Sequence, residues 1–270
     1  MPILETKDGP IAWDLIDLTP PWVENPPAIL FHHGIGASMG IFAEWLPVLA
    51  GRYRLVRFDI RGYGRSPEPP ASYAWTARGM LADLFAVADA AGLKRFHVIG
   101  ESVGGTMALL AAAHGGERVL TATGVSCSHR GAAIKHVTEW ERFFAEKGYK
   151  AWSDDFMPKR FHPDGISQAQ WRWFSDVQAK GQVASTMGPA KMLMGADISQ
   201  ELKGIRQPVL LLHPDGSPFV APAIAAEMQS LIPDCELMVI PHARHGVSLS
   251  HGPQCAAALA DFLARRAPAA

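Results

Sequence analysis

Ser102 is the residue around which this sequence can do chemistry. It lies in Gly100-Glu101-Ser102-Val103-Gly104-Gly105, a G-x-S-x-G-G string. The apolar, β-type run Phe96-His97-Val98-Ile99 leads into it, and Thr106-Met107-Ala108-Leu109-Leu110-Ala111-Ala112-Ala113 after it reads as a helix. Strand, sharp turn and helix together are the context of a nucleophile elbow. Glycines at positions 100 and 104 suit a turn that leaves no room for Cβ atoms. The helix behind the serine would point N–H groups toward negative charge developing at the hydroxyl. The plainer reading is a structural turn, because Gly and Ser are common in loops; the flanking strand and helix favour the nucleophile. Such a hydroxyl needs a general base within hydrogen-bond reach. Val239-Ile240-Pro241-His242-Ala243-Arg244-His245-Gly246 offers two histidines just beyond a strand run.

Upstream, Ala28-Ile29-Leu30-Phe31-His32-His33 is a buried-strand run that breaks into Gly34-Ile35-Gly36. A phosphate-binding loop is the competing reading of those glycines, but no G-x-G-x-x-G or Walker pattern follows. With the elbow and Arg57-Phe58-Asp59-Ile60-Arg61-Gly62-Tyr63-Gly64-Arg65-Ser66, the chain resembles the α/β-hydrolase family over nearly its whole length. It looks closest to the branch holding enol-lactonases, small esterases and carbon–carbon bond hydrolases. That resemblance implies an oxyanion hole made of the Ile35 and Val103 amides, two fixed dipoles for charge that exists only in the transition state. It also implies His245 as the base, with His242 too close to the strand end. His32 and His33 then brace the oxyanion loop, and Asp59 and Arg61 belong to a structural strand-end motif.

The third catalytic member departs from the family pattern. The acid normally follows the penultimate strand as G-x-x-D, but here the stretch is His213-Pro214-Asp215-Gly216-Ser217-Pro218-Phe219-Val220. Ser217 stands at the expected acid position, and Asp215 lies two residues earlier in an Asp-Gly pair that equally makes a turn. The other family location, Val125-Ser126-Cys127-Ser128-His129, has no carboxylate. Two arrangements stay open: Asp215 as the acid through a shifted loop, or a Ser102–His245 dyad assisted by Ser217. Asp215 is the expectation taken forward, since an acid holds the histidine tautomer and stabilises imidazolium.

Composition narrows the classes of function. The chain has 270 residues, 48% hydrophobic and 19% charged, with a formal net charge of −1. That balance leaves no electrostatic footprint for nucleic acid and no basic run for a membrane surface. The start, Met1-Pro2-Ile3-Leu4-Glu5-Thr6-Lys7-Asp8, lacks a basic and apolar leader pattern. Cys127, Cys235 and Cys255 are scattered without C-x-x-C spacing, which suits a reducing, cytoplasmic setting and idle thiols. His242, His245 and His251 lack a carboxylate at H-E-x-x-H-type spacing, so neither a metal nor another cofactor is expected.

Strands alternating with helices imply an α/β protein with a parallel sheet covered on both faces and its ligand at the strand C-termini. The reading runs from a hairpin over 3–17, through strands at 28–32, 53–58, the run 96–99 before the elbow, and 119–125, to strands at 208–213 and 236–240 and a closing helix over 255–266. The 75–91 helix puts Leu81, Leu84, Phe85 and Ala88 on one face. The resemblance makes the sheet eight-stranded and mostly parallel. Residues 1–129 and 205–270 form its core, and 130–204 an inserted helical cap. The inserted stretch is crowded with aromatics: Trp140, Phe143, Phe144, Tyr149, Trp152, Phe156, Phe161, Trp171, Trp173 and Phe174. Most would form the cap's own core and the rest an apolar pocket wall, as would Met187, Met192 and Met194 if they are not core too. Arg130, Lys135, His136 and Arg142 read as solvated charge near the entrance, and the terminal Ala267-Pro268-Ala269-Ala270 as frayed. The function these readings favour is hydrolysis of a small, partly apolar carboxylic ester or lactone through an acyl-serine. Cleavage of a carbon–carbon bond in a ring-fission-type diketone is the alternative. A small-ligand receptor or a cofactor-free non-hydrolytic protein of the same fold is the alternative of another class.

Overall fold

The computed structural model describes residues 2–135 and 137–266; His136 and the terminal 267–270 stretch, both singled out above, lie outside the described residues. Its frame is one eight-stranded sheet: β1 (Ile3–Leu4), β2 (Ile11–Ile16), β3 (Ala28–His32), β4 (Arg54–Phe58), β5 (Phe96–Glu101), β6 (Val119–Val125), β7 (Val209–Pro214) and β8 (Cys235–Ile240). The strand order is β1-β2-β4-β3-β5-β6-β7-β8. β1 pairs antiparallel with β2, and β2 antiparallel with β4. Every later pairing, from β3 with β4 to β7 with β8, is parallel. β3, β5 and β7 are buried along their whole length, which is why they read as continuous apolar runs rather than alternating ones.

Helices cover both faces. α2 (Ala77–Ala90), α3 (Val103–His114) and α8 (Pro222–Leu231) lie on one, α1 (Leu46–Leu49) and α10 (Gly252–Arg266) on the other. α2 starts at Thr76, whose hydroxyl accepts from the Gly79 N–H, and it buries Met80, Leu84, Val87 and Ala88. Leu81 and Phe85 of the expected stripe are only partly buried against the same core. Each fully buried large apolar side chain contributes roughly 1.5–3 kcal/mol, so these stripes fix which helix face meets the sheet.

Between β6 and β7 runs a segment without strands. It holds α4 (Trp140–Arg160, interrupted at Gly148), α5 (Gln168–Ala179), α6 (Val183–Met194) and α7 (Ser199–Gly204). Ser167 opens α5 with a capping box completed by Gln170. Trp140, Phe144, Trp152 and Phe156 pack on one another with ring centroids 4.5–5.2 Å apart. The end of α4 is tied to the loop after β8: the Gly246 N–H donates to the Arg160 carbonyl at 3.0 Å, and Arg244 donates to the Pro158 carbonyl. A short four-residue α9 (Val247–Ser250) separates that loop from α10. Among the described residues no helix is long and apolar enough to cross a membrane.

Candidate active site

β5 ends and α3 begins on either side of Ser102. Its backbone is held at φ 57°, ψ −119°, a region that costs an L-residue about 1–3 kcal/mol and persists only where surroundings enforce it. The surroundings here are glycines. A Cβ on Gly100 would run into the Gly104 carbonyl, and one on Gly104 into the His32 carbonyl. The strained turn lifts the Ser102 hydroxyl off the sheet edge, where His245 Nε2 lies 3.1 Å from Oγ. His245 is carried by the loop between β8 and α9 and is 6% exposed. Burial, then the positive field of Arg160 and of His213, holds its imidazole well below the usual histidine range. The ring is therefore neutral near pH 7, as a base must be.

The β3 exit passes close to Ser102: a Cβ on Gly34 would sit 3.1 Å from Ser102 Cβ. Neither the Ile35 N–H nor the Val103 N–H has a backbone acceptor among the described residues. Two histidines stiffen this loop, as expected. His33 Nδ1–H donates to the Gly34 carbonyl at 2.8 Å, while its Nε2 accepts the Ile60 N–H at 2.9 Å. His32 Nδ1–H donates to the His33 carbonyl at 2.9 Å. Burial pushes His33 down to about 4 and His32 down to about 3, so both stay neutral. Asp59 and Arg61 are structural. The Asp59 carboxylate accepts the Met39 and Arg65 N–H groups at 2.8 and 2.9 Å. Arg61 clamps Asp83 through two 2.7 Å bonds and reaches back to Thr6, Asp8 and Gly9.

The expected triad acid is not at the imidazole. Asp215 accepts the backbone N–H of His242 at 2.9 Å and of Ala243 at 3.1 Å. These bonds hold its carboxyl below the usual carboxylate range and fix a loop in which His242 has φ 55°. The Asp-Gly pair after β7 is a loop fastener because its carboxylate meets two orphan amides of the neighbouring β8 exit. His245 Nδ1 instead faces two hydroxyls, Ser126 Oγ at 3.0 Å and Ser217 Oγ at 3.3 Å. Ser217 thus stands at the imidazole, at the position where the pattern expects an acid. Ser126 was not a candidate in the sequence reading; the signal for it was its place directly after β6, the family's other acid location. Its backbone is left-handed (φ 49°), which turns Oγ back toward the ring. Both acid locations are occupied by serine.

Ser102 and His245 open onto a largely apolar cavity walled by Ile35, Ile134, Val137, Trp140, Phe156, Leu193 and Phe219, with Arg160 at its side. Of the aromatics in the inserted segment, Trp140 and Phe156 line it, and Leu193 and Ala190 do so in place of the three methionines. Cys127 also borders the cavity, but burial pushes its thiol up to about 12, leaving it un-ionised. Arg130 pairs with Glu227 at 2.6 Å and Arg142 with Glu146 at 3.9 Å.

A family model described as the alpha/beta hydrolase fold matches residues 27–252, most of the chain. The chain belongs to the α/β-hydrolase family. By family it is a hydrolase. It is 25% identical over 255 residues to a relative named carbamate hydrolase RutD from Escherichia coli O17:K52:H18, covering 87% of this chain and 86% of that one. Among solved structures it is similar to the enol-lactonase from Burkholderia xenovorans LB400 (TM-score 0.86, 19% identity, 97% of this chain and 99% of that one). It is also similar to a bromoperoxidase from Bacillus anthracis (TM-score 0.84, 18% identity, 97% and 99%). At those identities the solved structures speak for the α/β-hydrolase fold alone.

Proposed function

We propose that this protein hydrolyses a small carboxylic ester or lactone through an acyl-serine at Ser102. The observation that carries the reading is Ser102 Oγ, 3.1 Å from the Nε2 of a buried, neutral His245, at the floor of a largely apolar cavity. Oγ attacks the substrate carbonyl carbon while its proton passes to Nε2. The Ile35 and Val103 N–H groups hold the resulting oxyanion, the kind of fixed-dipole stabilisation worth about 3–4 kcal/mol per donor. The tetrahedral intermediate collapses as the C–O bond breaks, and the Nε2 proton goes to the leaving oxygen. Water then repeats the sequence on the acyl-serine, with His245 as base again, releasing the acid and restoring Ser102.

For Nε2 to accept a proton, Nδ1 must already carry one and donate it. Ser217 Oγ accepts the Phe219 and Val220 N–H groups, each at 3.3 Å, which occupies its lone pairs. Ser126 Oγ, at 3.0 Å, is then the better acceptor and fixes the productive tautomer. A neutral hydroxyl orients the ring but does not stabilise imidazolium as a carboxylate does. That favours a slower hydrolase with activated substrates such as lactones and aryl esters. The same Nδ1 surroundings favour the second reading, a non-hydrolytic or ligand-binding use of the site. Labelling by a fluorophosphonate probe, with turnover of a panel of p-nitrophenyl esters and lactones alongside ring-fission diketones, tests both. Covalent labelling of Ser102 with ester or lactone turnover is expected. Selective turnover of a diketone would move the assignment to carbon–carbon cleavage, and the absence of both labelling and turnover would sink the hydrolytic reading.

A further inference from the structure

Arg160 is the charge at the cavity that acyl transfer as described above does not use. It is 2% exposed, at the last turn of α4, with its guanidinium 5.2 Å from the ring centroids of both Phe156 and Phe174. Nε donates to Gln178 Oε1 at 2.7 Å and Nη2 to the Ile35 carbonyl at 2.5 Å. Gln178 is itself fixed, its amide nitrogen donating to Ser153 at 2.8 and 3.0 Å. A guanidinium carries five N–H donors; two are used, so three have no acceptor among the described residues. No carboxylate there lies within 4.0 Å of it. The negative group it feels most is Glu101, whose buried carboxyl is pushed toward its neutral form. The other buried arginines are treated differently: Arg57 has Asp14 and Arg61 has Asp83, each in a two-bond clamp. A buried cation with no carboxylate in contact is costly to hold, and this one borders the cavity shared by Ser102 and His245.

We infer that Arg160 is a carboxylate-recognition subsite, so that the substrate cleaved at Ser102 carries a second, ionised carboxylate. The inference rests on the proposed acyl transfer for its reaction, not for its binding. A planar fork with free N–H groups suits two-point recognition of a carboxylate. One guanidinium among apolar walls balances one negative charge; the second charge of a phosphate monoester would stay buried without a partner. Docking there also bears on the base. Arg160 disfavours a proton on His245, and a substrate carboxylate that neutralises it removes that penalty. The substrate would then supply part of the negative field that neither Ser126 nor Ser217 supplies.

The test compares the p-nitrophenyl hemiester of glutaric acid with the neutral p-nitrophenyl pentanoate, and measures glutarate binding to Ser102→Ala by calorimetry. Wild type is expected to favour the hemiester by at least tenfold in kcat/KM. Arg160→Gln should bring that preference down to about one or below and Arg160→Lys should restore part of it. A purely structural arginine would lower both esters together and leave the ratio unchanged. Glutarate should bind Ser102→Ala and not the Ser102→Ala, Arg160→Gln double variant. If the arginine variants do not fold, the wild-type ratio and glutarate binding decide. A wild-type ratio near one with no glutarate binding overturns the inference, as does inorganic phosphate binding more tightly than glutarate. Glutarate binding through Arg160 without turnover of either ester would uphold the subsite and sink the hydrolytic reading.

Discussion

The two nitrogens of His245 face regions built on different principles. On the Nε2 side, the backbone does the positioning: a strained Ser102, two glycines that admit no Cβ, and a histidine-braced loop against them. On the Nδ1 side, two side chains from the separate exits of β6 and β7 meet the ring. A backbone-built region tolerates almost no change, because a Cβ at Gly100 or Gly104 collides with main chain. A side-chain region can exchange carboxylate for hydroxyl while the strands that carry it stay in place. The lesson is that the Ser102 half is fixed by the fold and the Nδ1 half is free to vary on it.

The hardest way to break that comparison is at Nε2. Ser102→Ala is expected to cost at least about a few thousand-fold in kcat, as for one member of an interdependent unit, with an unchanged circular dichroism spectrum and melting temperature. His245→Ala should be nearly as damaging and His242→Ala mild. His242 points its N–H at Asp215 and shares the same loop, so the pair is an internal control. Equal losses from both histidines, measured with an activated ester, would show the loop rather than the base to be limiting.

That asymmetry explains what the sequence could disclose. The strand–turn–helix at Ser102, the sheet and the glycine loop after β3 were legible because backbone demands leave marks in local sequence: glycine spacing, buried-strand runs, a helix directly behind the serine. Asp215 misled because an Asp-Gly pair beside the expected position is compatible with either a turn or an acid. Only the approach of the β8 exit, about 27 residues away in sequence, shows its carboxylate taken by two amides. Ser126 was hidden for a similar reason: its left-handed φ and its aim at Nδ1 come from a tertiary neighbour 119 residues on. Arg160 carried no local signal, since a lysine-arginine pair at a helix end is ordinary and only burial without an acid sets it apart.

The Nδ1 side should answer with smaller changes. Ser126→Ala is expected to lower kcat by about tenfold and Ser217→Ala by less, because Ser217 Oγ is already engaged by two amides. Ser217→Asp should raise kcat by about tenfold, since one carboxylate oxygen can keep those amides while the other accepts the Nδ1–H bond and stabilises the imidazolium. A loss of activity in Ser217→Asp with retained fold would mean that the hydroxyl pair is itself required.

The pH profile sharpens the same point. The fold lowers the proton affinity of His245, so its active neutral form persists to more acidic pH than a free imidazole allows. The acid limb of kcat/KM in wild type is therefore expected below pH 6.5. A carboxylate at Nδ1 favours imidazolium and raises that limb, by about a unit or more in Ser217→Asp. A wild-type limb above 6.5 would show that some negative group reaches the ring after all.

The smallest effect is expected at Asp215, and it separates loop fastening from catalysis. Its carboxylate spans the His242 and Ala243 amides rather than the imidazole. Asparagine keeps one carbonyl acceptor but presents an NH₂ to the second amide, so one bond is lost and two donors face each other. The loss is of order 1 kcal/mol, the scale of one hydrogen bond to a charged group at a largely solvated site. In a domain of this size that corresponds to a melting-temperature drop of about 2–4 °C. Because that loop also carries His245, kcat should fall by only a few-fold, and KM should hardly move. A catalytic aspartate behaves differently: its amide replacement traps the wrong histidine tautomer and costs about 10⁴-fold without lowering stability. Asp215→Asn with kcat down a thousand-fold and an unchanged melting temperature would therefore place the carboxylate at the imidazole in the working enzyme and undo the contrast between the two sides of the ring.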